Sequence, residues 1–367
     1  MKESSDVMIV AGALLAAAIF ATGQDSSRNW KLRENGSPDK VHFTVERYQG
    51  TGHWSSTSDV PLANFRGLSR DTMNHGGSAK FEYVQDAGRL LCTGSFSLWG
   101  RGAGSFTFAP NPEFVAELQK LGYSAPTGDQ IFSMMMSNVS LEFARGVRDA
   151  GLNASTSQLI DLRIHDVTLA YIGEAQKAGY RNFRAKDYVD IKIHGVPTGF
   201  LRDLKDYGYD LSAPQIVELR IHGVNSEFMD DLKQAGYDLS PIQITELKIH
   251  GVDSSFIRDL KSYGLQPRAS DLVQFKIHGV TPGYLKGLKD AGYGGLPESQ
   301  ITELKIHGVS TDFMRQAGDL GYHFRVQDLT ELKIHGVDAA YLKRLRDSGM
   351  RNLSVEDITK LKIHGVD

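Results

Sequence analysis

The 367-residue sequence contains one cysteine and no excess of charge of either sign. Cys92 alone excludes an internal disulfide, and we expect it to be a small buried residue of a strand. A net charge of -3 favours neither nucleic acid nor an anionic membrane as a partner. HExxH, paired His/Cys spacings and acidic calcium loops are also absent, so we assign no catalytic residue, metal ligand or cofactor.

Residues 1–23 have the pattern of an export signal. The apolar run Val7–Phe20 is followed by small residues, which predicts cleavage after Gly23. The preceding segment holds one cation, Lys2, beside two carboxylates, so an uncleaved membrane anchor is the alternative. We therefore expect an exported protein, periplasmic or extracellular, with or without an anchor at residues 7–23.

Histidine recurs every 28 or 29 residues in the second part of the chain. The repeat histidines are His165, His194, His222, His250, His278, His307, His335 and His364. A glycine follows seven of them, at Gly195, Gly223, Gly251, Gly279, Gly308, Gly336 and Gly365. Ser137 stands one period upstream of the first histidine. The period indicates a solenoid of nine units between about Asn111 and Asp367.

Two further positions keep this period. The aromatic residues are Phe114, Phe143, Tyr171, Phe200, Phe228, Phe256, Tyr284, Phe313 and Tyr341. A glycine follows each aromatic by eight residues, from Gly122 to Gly349. Only the interval from this glycine to the next histidine varies, between 14 and 15 residues. The variable loop therefore lies just after the glycine.

Each unit is predicted to contain two short helices. In one unit Asp253 is a suitable N-cap for the first helix and Gly264 a suitable stop. The second half often opens with a capping box, as in "SPIQ" at Ser240. Where the glycine after the central residue is missing, Asn138 or Asp166 replaces it, and both residue types tolerate the left-handed conformation that ends a helix.

A leucine-rich-repeat-like α/β solenoid is the alternative, because apolar residues alternate within "ELKIHG". Two observations favour helices. First, valine replaces the asparagine expected after a leucine-rich strand. Second, a parallel sheet would stack the repeat lysines, such as Lys248 and Lys276, about 4.8 Å apart, where their like charges repel. Apolar residues six, three and one before the histidine and two after it would then cover a wide helical arc packed by neighbouring repeats.

A different pattern precedes the repeats. Residues 29–110 alternate apolar and polar positions between glycine-rich turns, which predicts a small antiparallel β domain. "GRGAGSFTF" lacks the Gly-Lys-Ser/Thr ending of a phosphate loop and is better explained as part of a hairpin. Pro112 and Phe114 already keep the repeat register, so we expect the last strand to lead directly into the solenoid at residues 111–367. The β domain would then cover the first repeat, and the fold class is α+β.

The repeat histidines are predicted to be structural. Side chains on repeats about 10 Å apart cannot converge on one zinc ion, which needs ligands about 2 Å away. At the last turn of a helix, a histidine can donate to free carbonyls and pair with a carboxylate four residues earlier, as Glu218 with His222 and Glu246 with His250 would. The remaining histidines, which have no recognisable set of partners, are His42, His53, His75 and His323.

The segments "LRIHGV" and "LSPIQITELKIHGVDSSFIRDL" resemble a repeat of bacterial exported proteins. Similar repeats lie in the C-terminal regions of some BlaR-type antirepressor membrane metallopeptidases. The resemblance spans about Asn111 to Asp367. The zinc motif of the peptidase is absent, so peptidase activity is not implied. What the resemblance implies is a bacterial envelope context and a sensing or binding module.

These patterns together predict a non-enzymatic, exported scaffold that binds a protein or an envelope polymer through an extended solenoid surface. A first alternative is head-to-tail self-association, because the sequence stops at Asp367 without a polar capping helix. A second alternative is pH or metal sensing by the repeat histidines.

Overall fold

The structure is a computed structural model that describes residues 27–49, 52–98 and 100–366. A seven-stranded antiparallel sheet is followed by a repeated array of helices, which confirms the α+β class with a helical solenoid. The predicted export signal or anchor at residues 1–23 lies outside the described residues. In the part that is described, no helix is long and apolar enough to cross a membrane.

The strands are β1 (Arg28–Glu34), β2 (Lys40–Gln49), β3 (Gly52–Pro61), β4 (Phe65–Arg66), β5 (Gly77–Gln85), β6 (Gly88–Ser97) and β7 (Arg101–Pro110). They form one sheet in the order β3-β2-β1-β7-β6-β5-β4, with antiparallel neighbours throughout. A 3-10 turn (Leu62–Asn64) precedes β4, and α1 (Arg70–His75) follows it.

The sheet curls over an aromatic core. The ring of Phe43 on β2 lies 5.2 Å from the rings of both Phe65 on β4 and Tyr83 on β5, although these strands are far apart in the sheet order. Trp30 is fully buried in the same layer, and its indole nitrogen donates to the carbonyl of Thr93. One face of the sheet is thus filled by side chains, and the opposite face carries the polar residues of the alternation.

Eighteen helices form nine pairs in the described residues. The first helices of the pairs are α2 (Pro112–Lys120), α4 (Leu141–Asp149), α6 (Leu169–Lys177), α8 (Thr198–Asp206), α10 (Ser226–Gln234), α12 (Ser254–Ser262), α14 (Pro282–Leu288), α16 (Thr311–Asp319) and α18 (Ala339–Asp347). The second helices are α3 (Gly128–Met136), α5 (Thr156–Ile164), α7 (Ala185–Ile193), α9 (Ala213–Ile221), α11 (Pro241–Ile249), α13 (Ala269–Ile277), α15 (Glu298–Ile306), α17 (Val326–Ile334) and α19 (Val355–Ile363). A π-helical turn, Lys289–Tyr293, extends α14.

The leucine-rich-repeat alternative is wrong because "ELKIHG" ends a helix in each unit that contains it. Capping boxes begin the second helices at the four predicted positions, which are Thr127, Ser212, Ser240 and Ser354. At Ser240, the N-cap amide donates to the Gln243 side chain at 2.9 Å, and the Gln243 amide donates to the Ser240 hydroxyl at 3.4 Å. These reciprocal bonds satisfy amides that a helix start leaves free.

Three second helices have an arginine, and not a serine or threonine, at the N-cap position. At α17, the Asp328 carboxylate accepts from the backbone amide of Arg325 at 2.9 Å and from its guanidinium at 2.9 and 3.1 Å. The arrangement recurs at Arg268 and Asp271, and at Arg184 with Asp187. A guanidinium only donates, so the aspartate supplies the cap alone, and a search for Ser/Thr capping boxes misses it.

The predicted loop follows the first helix of each unit. In one unit α12 ends at Ser262, Gly264 adopts φ = 65°, and α13 begins at Ala269. The nine glycines from Gly122 to Gly349 all have positive φ, between 65° and 105°. These values identify the left-handed residue that ends each first helix, and the length variation is confined to the loop behind it.

The β domain leads into the helices with one intervening residue. Asn111 follows β7 and caps α2, its side chain accepting from the amide of Glu113 at 3.1 Å. Phe132 on α3 contacts Trp54 at 5.4 Å and is stacked on Phe106 at 6.2 Å. The predicted cover of the first repeat by the β domain is present.

The chain is divided into two compact units. The first extends to Gly173 and includes Arg184–Val189, so it contains the β domain and the first repeats. The second contains Glu174–Phe183 and the chain from Asp190 onward.

Candidate interaction surface

Each repeat histidine is the residue at which a second helix ends. His250 follows the last helical residue of α11, and its amide donates to the carbonyl of Glu246 at 3.1 Å. Gly251, at φ = 76°, donates to Lys248 at 3.0 Å, and Val252 donates to Leu247 at 2.9 Å. These two bonds form a Schellman motif, with Val252 and Leu247 both buried beneath it.

The same geometry holds where the histidine or the glycine is missing. Ser137 ends α3, and its hydroxyl donates to the carbonyl of Ser133 at 2.7 Å. Asn138 and Asp166 occupy the left-handed position with φ = 54°. The backbone therefore requires a left-handed residue after the helix, whereas it does not require an imidazole before it.

The predicted ion pair between the histidine and a carboxylate four residues earlier is wrong for His222 and His250. No ion pair joins Glu218 to His222 or Glu246 to His250 among the described residues. His194 instead contacts the carbonyl of Asp190, with Nδ1 at 2.8 Å. Six of the eight imidazoles are exposed, and those of His165 and His278 are half-buried. Burial in the solenoid thus does not explain why histidine recurs.

The isoleucine before each histidine is exposed, which corrects the expectation that it belongs to the packed arc. In α11, Ile244 and Leu247 are buried, while Ile249 keeps 58% of its surface. All eight of these isoleucines are 53–62% exposed: Ile164, Ile193, Ile221, Ile249, Ile277, Ile306, Ile334 and Ile363. Apolar identity alone did not distinguish a core position from a surface position.

A comparison within the chain shows that exposure alone does not select isoleucine. The residues eight positions before the histidines are also on the surface for the most part, and they vary: Ser157, Lys186, Pro214, Ile242, Ser270, Ser299, Gln327 and Glu356. The residue directly before the histidine is isoleucine in all eight units. We use the name Ile–His row for the isoleucines and histidines of the seven repeats from Ile193 to His364. All of them lie in the second compact unit.

Carboxylates accompany the row. The residue four positions before the histidine lies on the same helical face as the isoleucine and the histidine. It is acidic in five of the seven repeats of the row, at Asp190, Glu218, Glu246, Glu303 and Glu331. Gln274 and Lys360 replace it in the other two. Each acidic repeat therefore presents one carboxylate, one sec-butyl group and one imidazole side by side.

The cation two residues before the central histidine lies over an aromatic ring. The ammonium of Lys248 is 4.6 Å from the ring centre of Phe228, on the first helix of the same repeat, and Lys276 is 4.6 Å from Phe256. The same contact joins Arg163 to Phe143, Arg220 to Phe200, Lys305 to Tyr284, Lys333 to Phe313, and Lys362 to Tyr341. The 20- or 21-residue spacing of cation and aromatic was visible in the sequence, but only the packing of the two helices of a repeat shows that the side chains meet.

In the first unit, Ile164 lies in a cleft with the β domain. The cleft has a volume of about 440 Å³ and is lined by Trp54, Met136 and Ile164 together with hydroxyl groups of β3. Trp54 is 41% exposed although its ring contacts Phe132. An indole beside an isoleucine is a typical anchor point of a protein interface.

The non-repeat histidines have partners that the sequence did not indicate. His42 Nδ1 lies 2.9 Å from Asp59 Oδ1, across β2 and β3. His53 is stacked on Tyr48 at 4.5 Å, and His75 Nδ1 is 3.2 Å from Asp71. His323 is exposed in the loop after α16. No group of three or more His, Cys, Asp or Glu side chains in the described part of the chain is arranged to hold a metal ion.

No protein-family model matches the chain, and neither does any curated protein.

Proposed function

We propose that the protein is a non-enzymatic repeat scaffold that binds a polypeptide partner along the Ile–His row. One observation carries the proposal: isoleucine is invariant over the seven repeats of the row at a position that is more than half exposed, while the exposed position seven residues earlier varies. A position that needs only water contact tolerates many residues. Invariance at the surface is explained when a ligand contacts every repeat of the row.

The chemistry of the row favours polypeptide over polysaccharide. Isoleucine offers no hydrogen bond and no aromatic ring for a sugar, but it packs closely against apolar side chains. Successive second helices contact one another from α9 to α19, and such helices pack about 8–10 Å apart. A partner with apolar side chains at that interval and basic groups facing the glutamates would complement the surface.

Export to the bacterial envelope remains part of the proposal and rests on the sequence pattern of residues 1–23. Head-to-tail self-association and sensing by the histidines gain no specific support from contacts of the described residues. The polypeptide-binding scaffold is therefore the function that the geometry supports best.

The experiment compares two multiple variants of the full chain. In the first, Ile221, Ile249, Ile277 and Ile306 become glutamine. In the control, the exposed residues seven positions earlier become glutamine: Pro214, Ile242, Ser270 and Ser299. A partner captured from envelope extract by the wild type is purified and titrated against all three proteins by calorimetry.

Burying the exposed part of one isoleucine contributes about 1–2 kcal/mol, so the row variant is expected to bind at least about 100-fold more weakly. The control variant is expected to bind within about threefold of wild type, and wild-type binding should show a negative heat-capacity change. Equal losses in both variants, or a partner that binds the row variant normally, would contradict the proposal.

A further inference from the structure

The polar face of the β sheet contains a second candidate site, independent of the Ile–His row. A cleft of about 790 Å³ lies across five strands. Its lining combines basic side chains with a set of hydroxyl groups: Lys31, Arg33, His42, Arg101, Thr44, Thr57, Ser95 and Ser97. A volume of this size is typical of a small-molecule or oligomer site.

The strand register brings two arginines together. Leu32 on β1 is paired with Gly102 on β7, and both belong to the inward face. Continuing this register by one residue sets the exposed Arg33 opposite the exposed Arg101, and both line the cleft. Neither guanidinium forms an ion pair with a carboxylate of the described residues. Like charges directly opposite on antiparallel strands destabilise a sheet unless an anion lies between them.

The neighbouring carboxylates are already engaged. Glu46 accepts from the ammonium of Lys31 at 2.8 Å and is 12% exposed. Asp59 lies 2.9 Å from His42, which is paired with Arg33 across β1 and β2. These two contacts hold Lys31 and His42 in place at the border of the cleft. The two arginines keep their donors directed to solvent, in a protein whose net charge is -3.

Hydroxyl groups line the rest of the cleft. Thr44 and Thr57 lie opposite each other on β2 and β3, with their hydroxyl oxygens 3.0 Å apart. Ser97 donates to the carbonyl of Arg101 at 3.0 Å, and Ser95 is paired with Ala103. Threonine and serine hydroxyls both donate and accept, as the hydroxyl groups of a sugar do. A ligand that is only anionic would leave most of this lining unused.

We propose that this cleft binds an acidic polysaccharide, with a carboxylate of one sugar held between Arg33 and Arg101. The planar guanidinium forms two parallel hydrogen bonds with a carboxylate, and such charge-assisted bonds are about twice as strong as neutral ones. The hydroxyl groups of Thr44, Thr57 and Ser95 form hydrogen bonds with the hydroxyl groups of the adjoining sugar. Binding here does not depend on the Ile–His row, because the two surfaces use different residues and different chemistry.

The test uses the full chain and polygalacturonate as the probe, measured by calorimetry at fixed ionic strength. Arg33→Gln with Arg101→Gln is expected to weaken binding at least tenfold. The matched control, Arg66→Gln with Lys343→Gln, removes two exposed cations outside the cleft and is expected to stay within twofold of wild type. Arg33→Lys with Arg101→Lys keeps the charge and is expected to lose binding because the paired donors are lost.

Two further probes separate sugar recognition from charge. Neutral dextran is expected not to bind, and polyglutamate is expected to bind at least tenfold more weakly than polygalacturonate. Native folding of each variant is checked by tryptophan fluorescence, to which buried Trp30 contributes. Absence of polygalacturonate binding, equal binding of polyglutamate, or an equal loss in the control variant would each overturn the proposal.

Discussion

The ammonium of Lys248 lies over the ring of Phe228, 4.6 Å from its centre, and so joins the second helix of a repeat to the first helix of the same repeat. The lysine stem also passes Gly223, at the end of the preceding repeat, where its Cε lies 3.7 Å from the place that a Cβ would take. The cation–aromatic contact recurs from repeat to repeat, so the same lysine position links the two helices of its own repeat. The stability of a solenoid combines the stability of each repeat with the contacts between neighbouring repeats.

Lys248→Ala should therefore destabilise the second unit. The loss combines the cation–π contact, about 0.5–1 kcal/mol at an exposed site, with the packing of the aliphatic stem. Urea unfolding followed by circular dichroism measures the change. Lys261→Ala, on the exposed side of α12, is the matched control and should change the unfolding free energy by less than about 0.5 kcal/mol. Equal effects of the two substitutions would refute the role of the aromatic contact.

The left-handed position after each second helix predicts opposite effects of two substitutions. Asp166 has φ = 54° and Gly251 has φ = 76°. Asp166→Gly should stabilise the chain by up to about 1 kcal/mol, because glycine has no steric cost there. Gly251→Ala should destabilise it by about 1–2 kcal/mol for the same reason. Thermal unfolding midpoints of both variants check the signs, and a stabilising Gly251→Ala would show that the residue is not constrained to this conformation.

Asp328 predicts a specific dependence of stability on pH. The hydrogen bonds from Arg325 hold the pKa of the Asp328 carboxyl below its usual value. Because the pKa is lower in the folded state, the ionised carboxylate stabilises the fold at pH values above the unfolded pKa, about 3.9. This stabilisation is lost as the pH falls through the folded pKa. Asp328→Asn should thus cost about 1 kcal/mol at pH 7 and almost nothing near pH 2.

Urea unfolding at both pH values gives the difference between wild type and Asp328→Asn. Asp238→Asn, in an exposed loop, serves as the control and should show no comparable change with pH. A penalty for Asp328→Asn that persists at pH 2 would mean that the charge of the carboxylate is not what stabilises the helix start.

Cys92 should be chemically inert while the sheet is folded. Its side chain is fully buried on β6, and burial raises the pKa of the thiol to about 12. The thiolate is the reactive form, so iodoacetamide at pH 8 should leave native protein unmodified and label it fully in urea. Mass spectrometry measures the labelled fraction with time. Rapid labelling without denaturant would show that the β sheet opens readily or that the thiol is accessible.

The sequence predicted the repeated elements because their signals are local. The reciprocal cap of Ser240 and Gln243 spans one helical turn, and Gly264 and Asp166 reveal their conformation by residue type alone. These signals decided correctly between helix and strand for "ELKIHG". The regular period strengthened the prediction, because each repeat carries the same local signals.

The sequence did not predict which apolar residues are exposed, because exposure depends on neighbours that are distant in the sequence. Ile244 and Ile249 are equally apolar and lie in one nine-residue helix, yet only Ile249 is exposed. The contact of Phe43 with Phe65 requires the curl of the sheet, which no local pattern encodes. Arg325 was not recognised as a helix start because its partner aspartate, and not the arginine, forms the cap.

If a partner contacts the Ile–His row, Ile249 should touch it and Ile242, on the same helix, should not. Both isoleucines lie on α11 and both are exposed, Ile242 more so at 80% against 58%. A photo-crosslinking amino acid is placed at each position in turn, and cells producing the full chain are irradiated. We expect a crosslinked adduct of defined mass from position 249 and little or none from position 242. Adducts of equal yield from both positions, or from position 242 alone, would contradict it.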